Sequence, residues 1–213
     1  FSMIIYEKLQ FPKSKIWLTS DTHAYHKNIC RGTSTWEGGH GQSVRDFDTP
    51  IQMTDELINQ INKNVKEDDL LIHLGDWSFD GESRIAEFRS RIICKNIYLV
   101  YGNHDHNIIN KSEHQSQFLR TDHVMYLRSE NLKFFISHYP HYVWHQGHHG
   151  VIHLYGHCHS SIEHIVKGKM MDVGVDNIFK LKGEYRPINL TEIEEIMSKK
   201  DSYLPDHHQK NTN

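Results

Sequence analysis

The segment Leu99-Val100-Tyr101-Gly102-Asn103-His104-Asp105 passes from an apolar run straight into an amide, an imidazole and a carboxylate. The same change occurs where Ile16-Trp17-Leu18-Thr19 meets Ser20-Asp21-Thr22-His23, and where Leu70 to Leu74 meets Gly75-Asp76. Two later apolar runs end likewise, at Ser137-His138 and at Gly156-His157-Cys158-His159. Carboxylate, imidazole and carboxamide side chains bind hard or borderline divalent cations. One Asp or His after a strand is commonly a turn residue or a helix cap. Five such clusters, each behind an apolar run, are hard to explain as capping. Histidine is also in excess: 19 residues are more than a structural role usually demands, which puts metal binding first among the hypotheses.

The elements that must present these residues read as strands. Short apolar runs bounded by turn residues suit buried strands, and in open α/β sheets a site assembles at their carboxyl ends. Thr49-Pro50-Ile51-Gln52 has the form of a capping box with proline at the first helical position, opening a helix to about Asn64. Leu57, Ile58, Ile61 and Val65 lie on its buried face. A second helix is expected over Glu82 to Arg91, with Ile85, Phe88 and Ile92 inward. With the strand Ile97 to Val100 the first half reads β-α-β-α-β, which implies a parallel sheet with crossover helices.

Residues 4–19 read as a first strand or hairpin punctuated by Pro12-Lys13-Ser14. In the second half Val124 to Leu127 and Leu132 to Ile136 suit an antiparallel hairpin, and Val151 to Tyr155 another strand. Ile162 to Val166 and Lys169 to Val175, about Gly168, suit a second hairpin. Thr191-Glu192-Ile193-Glu194 has the form of another capping box, opening a terminal helix with Ile193, Ile196 and Met197 on one face. From Asp21 to Asp48 the chain is rich in Gly, Thr, Ser, His and Asn around Gly38-Gly39-His40-Gly41. That is a long loop on the site side, a kind that is usually functional.

At 213 residues the chain is expected to be one domain over residues 1–200, followed by a polar, disordered tail at 201–213 that includes His207 and His208. The net charge of −3 gives no electrostatic footprint for gripping a long nucleic acid, so a small or locally presented substrate fits better. Cys30, Cys94 and Cys158 are odd in number and lack C-x-x-C spacing, as reduced cytosolic thiols would be. No run has the length of a membrane span and no secretory leader is recognisable, so the expected compartment is the cytoplasm. Met3 is read as the natural start.

At the five clusters the sequence resembles the calcineurin-like metallophosphoesterases. The family pattern D-x-H, G-D, G-N-H-D/E, H, G-H-x-H appears in order as Asp21-Thr22-His23, Gly75-Asp76, Gly102-Asn103-His104-Asp105, His138 and Gly156-His157-Cys158-His159. The flanking segments Asp21 to Ile29, Ile72 to Trp77 and Val173 to Asp176 look like a compact bacterial or phage subgroup. The resemblance covers roughly residues 15 to 198. It implies an α/β fold of α+β type, a four-layer α-β-β-α sandwich in which two mixed β-sheets are flanked by helices.

The resemblance further implies that Asp21, His23 and His159 hold one divalent metal ion, that Asn103, His138 and His157 hold a second, and that Asp76 bridges both. On an extended chain the two-residue spacing of Asp21/His23 and of His157/His159 would send both side chains to one side. Mixed N/O ligation without thiolate suits Mn, Fe, Zn or Ni better than Ca or Mg. The expected reaction is hydrolysis of a phosphodiester, nucleotide or cyclic-nucleotide-like, by a hydroxide bridging the two metals. The alternatives are a phosphomonoesterase and a non-catalytic scaffold of the same fold.

His104, beside Asn103, is the candidate proton donor to the leaving oxygen. Asp105 either hydrogen-bonds the His104 ring or caps a helix beginning near His106. His26 and Asn28 are candidate substrate-binding residues. Arg31 and Arg45 suit solvated arginines better than a phosphate clamp. His141, His145, His148 and His149 suit either a substrate entry or a wet loop. Cys158 reads as an inert small residue, and His73 and His153 as core histidines.

Overall fold

A computed structural model describes residues 4–36 and 44–203; Gly38 to Gly41 and the tail histidines His207 and His208 lie outside the described residues. The chain forms two mixed sheets flanked by helices. One has the order β10-β2-β3-β4-β5, built from β2 (Ile16–Thr19), β3 (Leu70–His73), β4 (Asn96–Val100), β5 (Arg120–Asp122) and β10 (Ile188–Asn189). The other has the order β1-β6-β7-β8-β9, built from β1 (Glu7–Lys8), β6 (Val124–Ser129), β7 (Leu132–Ser137), β8 (Ile152–Tyr155) and β9 (Met170–Asp172).

Side-chain alternation along the strands decides which face meets what. Ile16, Leu18, Leu70, Ile72 and Val100 from the first sheet pack against Met125, Leu127, Phe134, Ile136, Ile152 and Leu154 from the second, all buried. Leu71, Ile97 and Leu99 point the other way, onto helices α1 (Pro50–Asn64) and α2 (Ser83–Ser90), where Ile58, Ile61, Ile85 and Phe88 meet them. The outer face of the second sheet is covered by Tyr6, Val151 and Trp144 around Phe135. The short helices α3 (His106–Asn110) and α4 (Ser112–Gln115) follow β4. Helices α5 (Val175–Lys182) and α6 (Leu190–Ser198) add Ile178, Ile193 and Met197 to the inter-sheet core.

The β-α-β-α-β reading holds: β2, β3 and β4 are parallel, with Leu18 paired to Ile72 and Ile72 to Tyr98. The β6–β7 hairpin also holds, in antiparallel register from Val124↔Ser137 to Ser129↔Leu132. The second expected hairpin does not form. Residues 160–165 make turns, and β9 runs parallel to β8 with no strand partner from Ile162 to Val166. The Glu163 side chain accounts for this, because its carboxylate takes the backbone N–H of Asp172 at 3.0 Å and the hydroxyl of Tyr155, tying the segment by a side chain instead of a ladder.

The capping boxes shift by one or two residues. Thr49 does accept from the Gln52 N–H, but the Gln52 side chain returns to the N–H of Asp48. The box at α6 is built by Asn189 and Glu192, so Thr191 lies inside the first turn. Of residues 4–19, Glu7–Lys8 forms a strand on the sheet opposite to that of β2, the Pro12-Lys13-Ser14 punctuation opens a 3-10 turn over Lys13–Lys15, and Ile16–Thr19 is β2 itself, so the two strands do not form a hairpin.

Candidate active site

Three parallel strands, β2, β3 and β4, end on the same rim and deliver Asp21/His23, Asp76 and Asn103/His104 side by side. In the second sheet β7 and β8 are also parallel and deliver His138 and His157/His159 to the facing rim. A bridge between Ser20 and Gly174 joins the two rims. The turns are too tight for ordinary residues. Gly75 has φ +100°, and a Cβ there would run into the Gly102 backbone; one on Gly156 would run into Ser20 and Asp21.

The extended-chain argument for Asp21/His23 and His157/His159 is corrected here. Asp21 (φ 54°), His23 (45°), His157 (66°) and His159 (46°) are all left-handed, as is Asp76 (57°). Each such residue costs roughly 1–2 kcal/mol in backbone energy, and strain of this kind gathers where surrounding structure enforces it. Alternating left-handed residues still send Asp21 and His23 to one side. Thr22 turns away, where its hydroxyl donates to the Trp77 carbonyl at 2.7 Å and meets His73 Nε2 at 2.9 Å.

The carboxylates and imidazoles converge at spacings just beyond hydrogen-bond reach. His23 Nε2 lies 3.7 Å from Asp21 Oδ1 and 3.5 Å from Asp76 Oδ2; His159 Nε2 lies 3.8 Å from Asp21 Oδ1; His138 Nε2 lies 3.6 Å from Asp76 Oδ2. Asn103 Oδ1 is 3.0 Å from both His138 Nε2 and His157 Nδ1. Spacings of 3.5 Å and more are too long for hydrogen bonds but suit ligands sharing a cation at roughly 2.0–2.2 Å. Asp21 Oδ1 and both ring nitrogens of His23 are buried with no hydrogen-bond partner. Orphaned atoms of this kind are expensive unless something cationic completes them, so the residues present fit divalent metal ions.

The charges tell the same story. Burial opposes ionisation of Asp21, but His23, His159 and His138 outweigh it and hold its carboxyl well below the usual range. Asp76, buried and facing Asp21, is pushed up to about 7. Burial takes His23 down to about 3, so it offers a neutral imidazole. Two close carboxylates of which only one ionises readily make a site that gains from positive charge.

His138 and Asp76 have supports behind them. His138 donates its Nδ1–H to the Leu74 carbonyl at 2.7 Å, leaving Nε2 to face Asp76. The His104 N–H donates to Asp76 Oδ1 at 3.0 Å. Asp105 stands at the N-cap position of α3, but its side chain makes neither of the two expected contacts among the hydrogen bonds described. Its carboxylate is fully engaged by the backbone N–H groups of Asp76 (2.8 Å), Trp77 (3.0 Å) and Gly102 (2.7 Å), and it makes no side-chain cap to α3. Short turns at the ends of β3 and β4 leave N–H groups without ladder partners, and Asp105 supplies the acceptor.

The other departure is Arg45, which is buried instead of solvated and is paired in a fork with Asp176. Asp176 Oδ2 in turn accepts from His159 Nδ1 at 2.6 Å. Only long-range contacts reveal this pair, since 131 residues separate its members. The one signal in the sequence was the segment Val173 to Asp176, quoted for the resemblance without a role.

A cleft of about 450 Å³ opens over the centre, lined by His23, His26, Ile29, Trp36, Phe79, His104 and His159. The His104 ring is 4.8 Å from Phe79 and 5.9 Å from His23; the residue is exposed, and partial desolvation holds its pKa below the ordinary value against the field of Asp105. His26 sits edge-on to Phe79 at 4.0 Å, so the structure brings it to the cleft, with Nδ1 accepting from the Ile29 N–H. Asn28 is not among the cleft's lining residues. Its side-chain oxygen holds Thr35, taking the N–H at 3.2 Å and the hydroxyl at 3.1 Å, and so shapes the loop that carries Trp36.

Arg31 is exposed and bound to Asp46 and Asp48. His73 and His153 are buried and hydrogen-bonded, as core histidines should be. His145 stacks beside Tyr6 at 6.0 Å, in the segment that covers the outer face of the second sheet. The Cys158 thiol is pushed up to about 12 by burial and nearby carboxylates, which suits an inert residue. Among the described residues no helix is long and apolar enough to cross a membrane.

Comparison with known proteins agrees with this geometry. The fold is similar to that of a protein of unknown function from Aquifex aeolicus, at 19% identity and TM-score 0.59, over 85% of this chain and 98% of that one. Weaker likenesses, both at TM-score 0.42, are to the nuclease MPE of Pseudomonas putida (18% identity, 68% of this chain and 61% of that one) and to an archaeal phosphodiesterase (23% identity, 79% and 87%). No curated protein sequence matches significantly. The family model for calcineurin-like phosphoesterases matches residues 14–208. With that match extending over nearly the whole sequence and a rim of side chains that could hold a metal at its centre, the chain belongs to the calcineurin-like phosphoesterase family, whose members are metal-dependent phosphoester hydrolases.

Proposed function

We propose that the chain hydrolyses a small phosphodiester carrying an aromatic or nucleobase ring, using two divalent ions. The observation that carries this reading is the convergence on one rim of Asp21, His23 and His159 on one side and Asn103, His138 and His157 on the other, with Asp76 Oδ2 between His23 and His138. Each trio would hold one ion, and Asp76 would be within reach of both. Bound divalent cations supply Lewis acidity, lowering the pKa of a water and offsetting charge on the phosphoryl oxygens.

The chain's own residues do the rest. His104, at the cleft wall and outside both trios, in its imidazolium form gives one N–H proton to the leaving oxygen and is left as neutral imidazole. Phe79, Trp36 and His26 offer ring faces and edges to the organic part of the substrate and keep water away from it. A diester is favoured over a monoester because the described lining of the cleft contains neither lysine nor arginine, so no added clamp meets the second negative charge of a monoester.

The test compares turnover of bis-p-nitrophenyl phosphate and p-nitrophenyl phosphate with Mn added, alongside elemental analysis. Faster diester hydrolysis is expected. Preference for the monoester replaces the diester reading with a phosphatase, and a chain that binds ions yet turns over neither ester replaces it with a scaffold.

A further inference from the structure

Arg45 is the largest charged side chain to be fully buried, and all of its hydrogen-bonding reach is spent next to the metal-binding rim. Its Nε and one Nη grip the two oxygens of Asp176, each at 2.8 Å. The same Nη donates to the Asp21 carbonyl at 2.6 Å and the other to the Thr22 carbonyl at 2.8 Å. Asp176 passes the contact on to His159 Nδ1. The Arg45 backbone meanwhile pairs with Ile29 and Arg31, its N–H donating to the Ile29 carbonyl at 2.7 Å and its carbonyl accepting from Arg31 at 3.0 Å. These bonds close the neck of the loop that carries Trp36 into the cleft wall.

We infer that Arg45 and Asp176 are positioning residues for the Asp21/His23/His159 half of the centre, and that Arg45 couples that half to the loop forming the cleft wall. The inference rests on the metal-dependent reading above. A buried ion pair by itself is weak evidence for stability, since desolvation offsets most of the attraction. This one is directed: it fixes the His159 ring through Nδ1, leaving Nε2 toward Asp21, and it clamps the consecutive carbonyls of Asp21 and Thr22 inside the turn whose left-handed residues are Asp21 and His23. Among the hydrogen bonds described, neither Arg45 nor Asp176 bonds a member of the other trio, in which the Leu74 carbonyl holds His138 and the His157 backbone N–H donates to Asp21 Oδ2. A carboxylate behind a ligating histidine also raises its basicity as a donor.

The experiment is a calorimetric titration of the full-length chain with Mn²⁺ alone, read as two binding steps. His159→Ala and His138→Ala assign each step to its trio. Asp176→Asn, nearly the same shape, and Arg45→Met are each expected to weaken the His159 step by about 10- to 100-fold and to leave the other within about twofold. The double variant is expected to be no worse than either single one, because the two residues act as one chain. Arg45→Lys, which lacks the planar fork, is expected to restore little.

If wild type binds two ions and the variants keep both steps, or lose both equally, the positioning role is overturned while the metal reading stands. A wild type that binds no ion overturns the metal reading, and this inference with it. If Arg45→Met fails to fold, Asp176→Asn decides between these outcomes.

Discussion

The two halves of the centre are built by different means. In the Asp21/His23/His159 half every ligand has a left-handed backbone, and the support is a buried charge ladder running from Arg45 through Asp176 to His159. In the Asn103/His138/His157 half only His157 is left-handed, and the support is backbone at strand ends: the Leu74 carbonyl holds His138, while Asp105 gathers N–H groups from the turns after β3 and β4. The first half therefore depends on a buried pair of charges, one of them contributed by a long loop. The second depends on the ends of strands that the core already fixes.

The comparison is broken most severely at the residue the halves share. Asp76→Asn is expected to remove both Mn²⁺ binding steps and to abolish turnover, since its Oδ2 faces both His23 and His138. Survival of either step with normal affinity would mean that Asp76 is not shared. His104→Ala is expected to lower kcat by about 10²- to 10⁴-fold on a diester with an alkoxide leaving group, and far less with p-nitrophenolate, which needs no proton. Both ion-binding steps should persist. Equal losses on the two leaving groups would remove His104 from the proton-donor role.

Asp105→Ala tests the strand-end support. It strands three buried N–H groups and is expected to cost about 2–3 kcal/mol in a denaturant titration of the metal-free chain. A loss of Mn²⁺ affinity confined to the His159 step would contradict the division between halves. The smallest effect lies outside both. Arg186 holds the Glu192 carboxyl down to about 2, at the cap of α6. A depressed carboxylate contributes stability above its unfolded pKa of about 4.3, and that contribution disappears as pH falls toward the folded value. Glu192→Gln should therefore flatten the acid limb of the stability profile between about pH 4.5 and 2 while leaving both Mn²⁺ steps unchanged. An unchanged acid limb would show that other groups govern acid unfolding.

Local patterns foretold elements whose physics is local. The Thr49-Pro50 start of α1, the parallel run of β2, β3 and β4 and the β6–β7 hairpin all follow from caps, periodicity and turn residues. Edge strands were not legible. Arg120–Asp122 is polar and pairs only because β4 presents an open edge, and Ile188–Asn189 is two residues long. The failed hairpin at 162–175 had an acceptable pattern, but a Glu163 side chain took the bonds that a ladder would have used. Asp105 was read from its immediate neighbours, whereas two of its three partners, Asp76 and Trp77, come from the end of another strand.

What the order of residues determined was which chemical groups stand behind each apolar run, because solubility pattern and turn composition act over a few residues. What only the tertiary structure decided was which of those groups meet, and what lies behind them. Arg45 and Asp176 carry no local pattern that distinguishes them from solvated charges. Their pairing exists because two sheets and a long loop close around them and leave a guanidinium no water to turn to.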